Sequence, residues 1–105
     1  MPQFIVYKNK NPATKARIPY LLDVQSKLLS ELHTRVVIPL YVSTALKGKM
    51  LTTLTPTFEI EGKEYVLMTP QLAGISRKEL GAEVAEFSTH RDAIITALDF
   101  LITGI

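Results

Sequence analysis

The sequence predicts a mainly β (α+β) domain, in which a strongly bent antiparallel sheet or small barrel is joined by one C-terminal α-helix. Three observations lead to this prediction. The 105 residues give room for one core and therefore for a single domain over residues 1–105. Short apolar runs separated by Pro, Gly and Asn fill the first 87 residues. An apolar stripe with helical spacing follows them.

The first strands are predicted from runs of β-branched and aromatic residues. Residues 3–7 and 20–24 form two short strands, and residues 25–29 begin a turn or short helix. Residues 35–42 give the strongest strand pattern of the chain. Because Pro39 cannot donate a ladder hydrogen bond, this strand is predicted to be an edge strand or to carry a bulge at that position.

A hairpin is predicted in the second half of the chain. Residues 58–61 alternate between apolar and acidic side chains, Gly62 and Lys63 supply a turn, and an apolar run follows at residues 64–68. Residues 74–80 and 82–87 are also expected to be extended.

The last element is predicted to be an amphipathic helix with Ser88 or Thr89 as its N-cap and Asp92 in its first turn. Gly104 is expected to end it in the left-handed conformation. The main stripe, which should pack on the sheet, consists of Ile94, Ile95, Leu98, Leu101 and Ile102. A second, weaker apolar face is predicted to be a homodimer interface and consists of Ala93, Ala97 and Phe100. The alternative is that loops of the same chain cover this face.

Composition excludes several classes of function. The chain has no Cys, which excludes disulfides, thiol catalysis and Cys-based zinc sites and fits a reducing compartment. Neither a secretory pattern nor an apolar stretch of about 20 residues is present, so a cytoplasmic protein without a membrane span is expected. The net charge is only +2. Four basic residues lie in and beside the loop at residues 9–17; they are Lys8, Lys10, Lys15 and Arg17. We interpret this stretch as a solvated loop rather than as a nucleic-acid-binding surface.

The pattern for catalysis is weak. His33, Arg35 and Arg77 include the residue types of an acid–base ribonuclease, but no spacing supports that reaction. His90 falls at the start of the predicted helix, where it should be exposed. The sequence contains no phosphate-binding glycine loop and no metal-ligand cluster. No catalytic residue, metal or cofactor is therefore predicted, and binding to other proteins is the expected activity.

An ordered set of short motifs resembles the CcdB toxins of bacterial toxin–antitoxin modules. The motifs are Gln3-Phe4-x-Val6-Tyr7, Asp23-Val24-Gln25-Ser26, Arg35-x-Val37-Ile38-Pro39-Leu40, Glu83-Val84, Arg91 and Gly104-Ile105. The resemblance implies an SH3-like barrel of the CcdB/MazF type and a homodimer joined through the C-terminal helix. It also implies a toxin that binds the A subunit of DNA gyrase and traps the cleaved-DNA complex. A CcdA-type antitoxin would neutralise it, and operator DNA would be bound only by the toxin–antitoxin complex, which represses its operon.

The resemblance also implies which residues bind gyrase. The main set is Asp99, Ile102, Thr103, Gly104 and Ile105, and the flanking contributors are Phe4, Ser26, Leu28 and Leu29. The well-known plasmid members carry Trp at the position of Thr103 and Asn at that of Asp99, so a large aromatic anchor is absent here. Two alternatives stay open. One is a MazF-like endoribonuclease toxin, because MazF toxins share the barrel, and the other is a non-toxic homologue that binds only the antitoxin.

Overall fold

The computed structural model describes residues 2–45 and 52–104. In this part of the chain an antiparallel sheet curls into a half-barrel, and one helix follows its last strand. The elements are β1 (Ile5–Asn9), β2 (Tyr20–Asp23), β3 (Thr34–Val42), β4 (Thr57–Ile60), β5 (Lys63–Leu67), β6 (Ala73–Ser76), β7 (Leu80–Glu86) and α1 (Arg91–Thr103). The predicted fold, a mainly β bent sheet with a C-terminal helix, is confirmed.

Strand β3 is the centre of the sheet and pairs with three other strands. The strand order is β4-β5-β3-β2-β1-β7, and β6 pairs with β3 on the same side as β5. Strand β6 pairs with residues 34–37 of β3, and β5 pairs with residues 40–42. One long strand therefore holds together segments that lie between residues 20 and 76 of the sequence.

The prediction that Pro39 marks an edge strand or a bulge is wrong. Pro39 lies within the central strand, opposite Leu21 of β2, and the register between β2 and β3 is regular on both sides of it. On the other side of β3, the pairing with β6 ends at Val37 and the pairing with β5 begins at Leu40. Because Pro39 lies in the interval between these two partners, its missing N–H leaves no ladder bond unmade. Its carbonyl accepts a hydrogen bond of 2.9 Å from the Met68 N–H.

The predicted hairpin is confirmed as β4 and β5, but its turn lies one residue earlier than expected. Ile60 pairs with Lys63, so the two loop residues are Glu61 (φ 52°) and Gly62 (φ 81°). Positive φ at both positions is the geometry of a type I′ turn, which matches the twist of the two strands. The predicted extended segment at residues 74–80 is interrupted, because a 3₁₀ turn at Arg77–Glu79 separates β6 from β7.

Both faces of the sheet are buried, because alternate side chains of the same strands point to opposite sides. One cluster, which includes the helix residue Ile94, is formed mainly by Val6, Leu22, Ile38, Leu40, Phe58, Leu67 and Phe87. The other cluster lies on the opposite face and contains Ile5, Tyr7, Leu21, Val37 and Leu80. The sheet is thus apolar on both faces.

Helix α1 follows a 3₁₀ turn at Ser88–His90, which moves the start of the helix past both predicted caps. The N-cap residue is His90, without a side-chain capping bond, so the prediction of Ser88 or Thr89 is wrong. The Ser88 hydroxyl instead donates to the Glu86 carboxylate at 2.8 Å. Gly104 ends the helix with φ 73°, as predicted, and its N–H donates to the Phe100 carbonyl at 2.9 Å.

Candidate functional site

Four of the five predicted gyrase-binding residues of the helix lie together at the exposed C-terminal end of α1. Asp99, Ile102, Thr103 and Gly104 are all exposed, and the Ile102 side chain is 79% exposed. The Thr103 hydroxyl donates to the Asp99 carbonyl at 2.7 Å, so it is engaged within the last helical turn. Ile105 lies outside the described residues. We call the residues 99–104 the helix tip.

A second exposed apolar segment lies on the 3₁₀ turn at Lys27–Leu29. The Ser26 hydroxyl caps this turn by accepting a hydrogen bond from the Leu28 N–H at 3.2 Å. Leu28 is 85% exposed and Leu29 is 49% exposed. Leu32, which the sequence analysis did not single out, is 48% exposed. We call residues 26–32 the leucine turn, and its exposed apolar side chains give a partner protein a surface to contact.

Phe4 does not supply a side chain to either surface. It is only 3% exposed and belongs to the core cluster beneath α1, so the prediction that its side chain flanks the binding surface is wrong. Its φ of 67° lies in the left-handed region, which is rare for a bulky residue and costs on the order of 1–3 kcal/mol. Its N–H donates to the Asp23 carbonyl at 2.7 Å, and its carbonyl accepts from the Phe87 N–H at 2.8 Å. Phe4 thus links the end of β2 to the residue that precedes the helix region.

A buried polar network supports the leucine turn from below. Arg35 and Asp23 form an ion pair of 2.8 Å, and both side chains are 0% exposed. The second Asp23 carboxylate oxygen accepts from the Gln25 N–H at 3.0 Å. The Gln25 side chain donates to the Leu29 carbonyl at 2.9 Å and accepts from the Val36 N–H at 3.0 Å. This network ties the leucine turn to β2 and β3.

In the sequence, these three network residues stand out only as parts of motifs and, for Arg35, as a catalytic candidate. Asp23 and Arg35 could be recognised from the sequence, because each is a charged residue at an inward-facing position of an otherwise apolar strand. A buried charge of this kind requires an opposite charge nearby. Both terminal guanidinium nitrogens of Arg35 are buried and have no hydrogen-bond partner among the described residues.

The predicted dimer face of α1 is only partly available. Ala97 is 0% exposed and fully buried within its own chain, so its assignment to a dimer interface is wrong. Ala93 is exposed and Phe100 is half-buried. The helix is turned so that Ile94 and Ala97 lie innermost. Of the predicted dimer face, only Ala93 and Phe100 therefore remain accessible to a partner.

The catalytic candidates are only partly brought together. The pairing of β3 with β6 places His33 beside Arg77, whose N–H donates to the His33 carbonyl at 3.0 Å. Both residues line a cleft of about 330 Å³ with Ser76 and Lys78. Arg35 is enclosed in its ion pair with Asp23, where no substrate has access to it. The imidazole ring of His90 packs 4.8 Å from the ring of Phe58.

Two tyrosines have altered acidity, and both are held in the neutral form. Burial raises the pKa of Tyr7, and the negative charges of Asp23 and Glu83 raise it further, whereas Arg35 and Arg77 lower it. Burial also raises the pKa of Tyr20, together with its hydrogen bond to Tyr65. At neutral pH these phenols are therefore hydrogen-bonding groups and not bases.

Among residues 2–45 and 52–104, no group of three or more His, Asp or Glu side chains has the geometry to hold a metal ion. None of the helices in this part of the chain is long and apolar enough to cross a membrane.

Comparisons with known proteins agree with this architecture. The family model described as "CcdB protein" matches residues 3–104. A solved structure described as an endoribonuclease in complex with its cognate antitoxin, from a mycobacterial species, superposes with a TM-score of 0.72. The alignment covers 97% of this chain and 94% of that chain at 15% sequence identity. At this identity the likeness establishes the fold alone.

Proposed function

The chain belongs to the CcdB family of toxin–antitoxin toxins, and we propose that it binds the A subunit of DNA gyrase and traps the gyrase–DNA cleavage complex. The observation that carries the proposal is the helix tip. Ile102 is 79% exposed at the end of a helix that is anchored in the core by Ile94. An exposed apolar side chain on a rigid support gives a partner protein a preformed surface to bury.

The leucine turn is the second contact region in this proposal. Leu28 and Leu29 are exposed, whereas the backbone beneath them is hydrogen-bonded to Gln25. Because the support is already formed, little conformational entropy is lost when a partner binds. Thr103 provides no aromatic anchor, so the exposed leucines carry a larger share of the contact area.

We propose two further partners. One is a CcdA-type antitoxin whose disordered segment folds on binding; family membership supports it, and the mycobacterial structure of similar fold was solved with its own antitoxin. Together the two proteins would bind operator DNA and repress their operon. The other partner is a second copy of this chain, with Ala93 and Phe100 of α1 at the interface.

The test combines growth on overexpression with supercoiling and DNA-cleavage assays on purified gyrase. The wild-type chain should stop growth and accumulate cleaved DNA. Ile102→Ala should lower the affinity for the gyrase A subunit about tenfold or more. Leu72→Ala is the matched control, because Leu72 is also exposed, at 37%, but lies outside both contact regions. Absence of a cleavage complex at every concentration would overturn the proposal.

The same assays distinguish the alternatives. Deletion of residues 103–105 should abolish the toxicity of a gyrase poison. If the deleted variant stays toxic and degrades cellular RNA, the chain is an endoribonuclease, and His33 and Arg77 in their shared cleft are the first residues to substitute. If overexpression does not affect growth while antitoxin still binds, the chain is a non-toxic homologue.

A further inference from the structure

The basic loop of the N-terminal region has an ordered structure. The first 22 residues contain four basic side chains and no acidic one. The Asn9 amide donates to the Thr14 hydroxyl at 3.0 Å and to the Ile18 carbonyl at 2.8 Å, which folds the loop back on β1. Lys8 and Lys15 consequently line the same cleft, of about 420 Å³, with Tyr20 and neighbouring residues.

A second basic cleft is formed by residues far away in the sequence. His33, Ser76, Arg77 and Lys78 line it, at the start of β3 and the end of β6. The Ser76 hydroxyl accepts from the Lys78 N–H at 3.3 Å, which fixes the turn that carries both basic side chains.

Lys10 joins the two clefts. Its ammonium group donates to the Lys78 carbonyl at 3.2 Å, and its N–H donates to the Glu79 carbonyl at 3.4 Å. We call the Lys and Arg residues of the two clefts, together with Lys10, the basic edge; it consists of Lys8, Lys10, Lys15, Arg77 and Lys78. The carboxylates of Glu79 and Glu83 are among the acidic groups near it. Glu79 adjoins Lys78 in the chain, and Glu83 is paired with Tyr7 on the neighbouring strands.

We propose that the basic edge binds the phosphodiester backbone of a nucleic acid. Lys8 and Lys15 in one cleft and Lys78 in the other, connected through Lys10, fit a ligand that carries anions at regular intervals. The half-buried ring of Tyr20 beside Lys8 and Lys15 adds an aromatic group of the kind on which nucleic-acid bases stack. An acidic protein segment has carboxylates but no flat bases that could stack on the exposed part of this ring.

This inference goes beyond the proposed function, which assigns operator binding to the toxin–antitoxin complex. The basic edge belongs to the toxin chain itself, and its residues lie outside the helix tip and the leucine turn. Binding of nucleic acid by the free chain can therefore succeed or fail independently of gyrase poisoning.

The test is fluorescence anisotropy of the full chain with two labelled probes, a DNA duplex of about 24 base pairs of mixed sequence and a single-stranded RNA of about 24 nucleotides. Each is titrated at salt concentrations from about 25 to 200 mM, because affinity that depends on phosphate contacts falls as the salt concentration rises. Lys10→Gln/Lys78→Gln should weaken binding about tenfold or more at low salt and reduce the slope of log affinity against log salt by about 2. Lys27→Gln/Lys63→Gln is the matched control, because it removes the same charge from exposed positions outside the basic edge.

The outcomes separate the sources of the ligand. Tighter binding of the duplex identifies DNA, and tighter binding of the single strand identifies RNA; either supports the proposal if the control variant binds like the wild-type chain. Equal weakening by both double variants would mean that only net charge matters and would overturn it. Equally tight binding of polyglutamate, or absence of binding to both probes at 25 mM salt, would also overturn it. Circular dichroism of each variant verifies that these exposed substitutions leave the fold intact.

Discussion

The helix tip and the leucine turn are both exposed and apolar, but they are supported in different ways. The tip is held by the helical backbone, by the packing of Ile94 in the core and by the left-handed Gly104. The leucine turn has only one turn of 3₁₀ helix and depends on the buried network of Asp23, Gln25 and Arg35. The comparison shows that a docking segment can be fixed by regular secondary structure or by buried charge. Where buried charge fixes the segment, loss of the buried network also lowers the stability of the whole domain.

The largest expected effect comes from breaking the ion pair. Arg35→Met leaves the Asp23 carboxylate buried without its partner, so the free energy of unfolding should fall by about 3–5 kcal/mol. Urea unfolding followed by circular dichroism measures this loss. Asp23→Leu/Arg35→Met is the control, because it removes both charges and should recover most of the stability. A loss below about 1 kcal/mol in Arg35→Met would contradict the assigned role of the pair.

Gln25→Ala should have an intermediate effect and sharpen the comparison. It removes two side-chain hydrogen bonds and leaves the Val36 N–H without its acceptor, at a cost of about 1–3 kcal/mol. Leu28→Ala, at 85% exposure, should change stability by less than about 0.5 kcal/mol. Urea unfolding of the two variants side by side tests the difference. If both variants lose the same stability, the network does not support the turn in the way described.

A smaller effect than that of the network variants is expected at the helix tip. Gly104→Ala places a Cβ at φ 73°, where no neighbouring atom lies within 4 Å, so the only cost is backbone strain of about 1 kcal/mol. Thermal unfolding should therefore detect a modest fall in Tm. Hydrogen exchange should accelerate at the last turn of α1 and stay unchanged in the leucine turn. Acceleration at both segments would mean that their supports are coupled.

The sequence was sufficient for the features that depend on local pattern. The hairpin of β4 and β5, the helix with Gly104 at its end and the strand at residues 35–42 follow from periodicity, β-branched content and turn chemistry. The position of Pro39 in the sheet was predicted wrongly. No local rule reveals that β5 and β6 pair with the same side of β3 and leave the residues between Val37 and Leu40 without a paired residue on that side.

The candidate site was only partly predictable for a similar reason. The helical wheel identified two apolar faces of α1, but it could not decide how far the helix is rotated against the sheet, and this rotation buries Ala97. Phe4 was misassigned because its left-handed backbone turns the ring into the core. Lys8, Lys10 and Lys15 were interpreted as part of a solvated loop, because Lys10 and Lys78 are 68 residues apart and meet only through tertiary folding.

The position of β3 has a consequence for the way the chain folds and opens. Three strands use it as their template, and their pairings reach from residue 20 to residue 76. Contacts of such long sequence separation make folding slow. Large loops must close, at a cost in chain entropy, before any of these pairings can stabilise the chain. Once formed, β3 cannot open without releasing β2, β5 and β6 together, so its amides exchange with solvent only when the domain unfolds as a whole. The edge strand β4, which among the described strands pairs only with β5, can open without disturbing this centre.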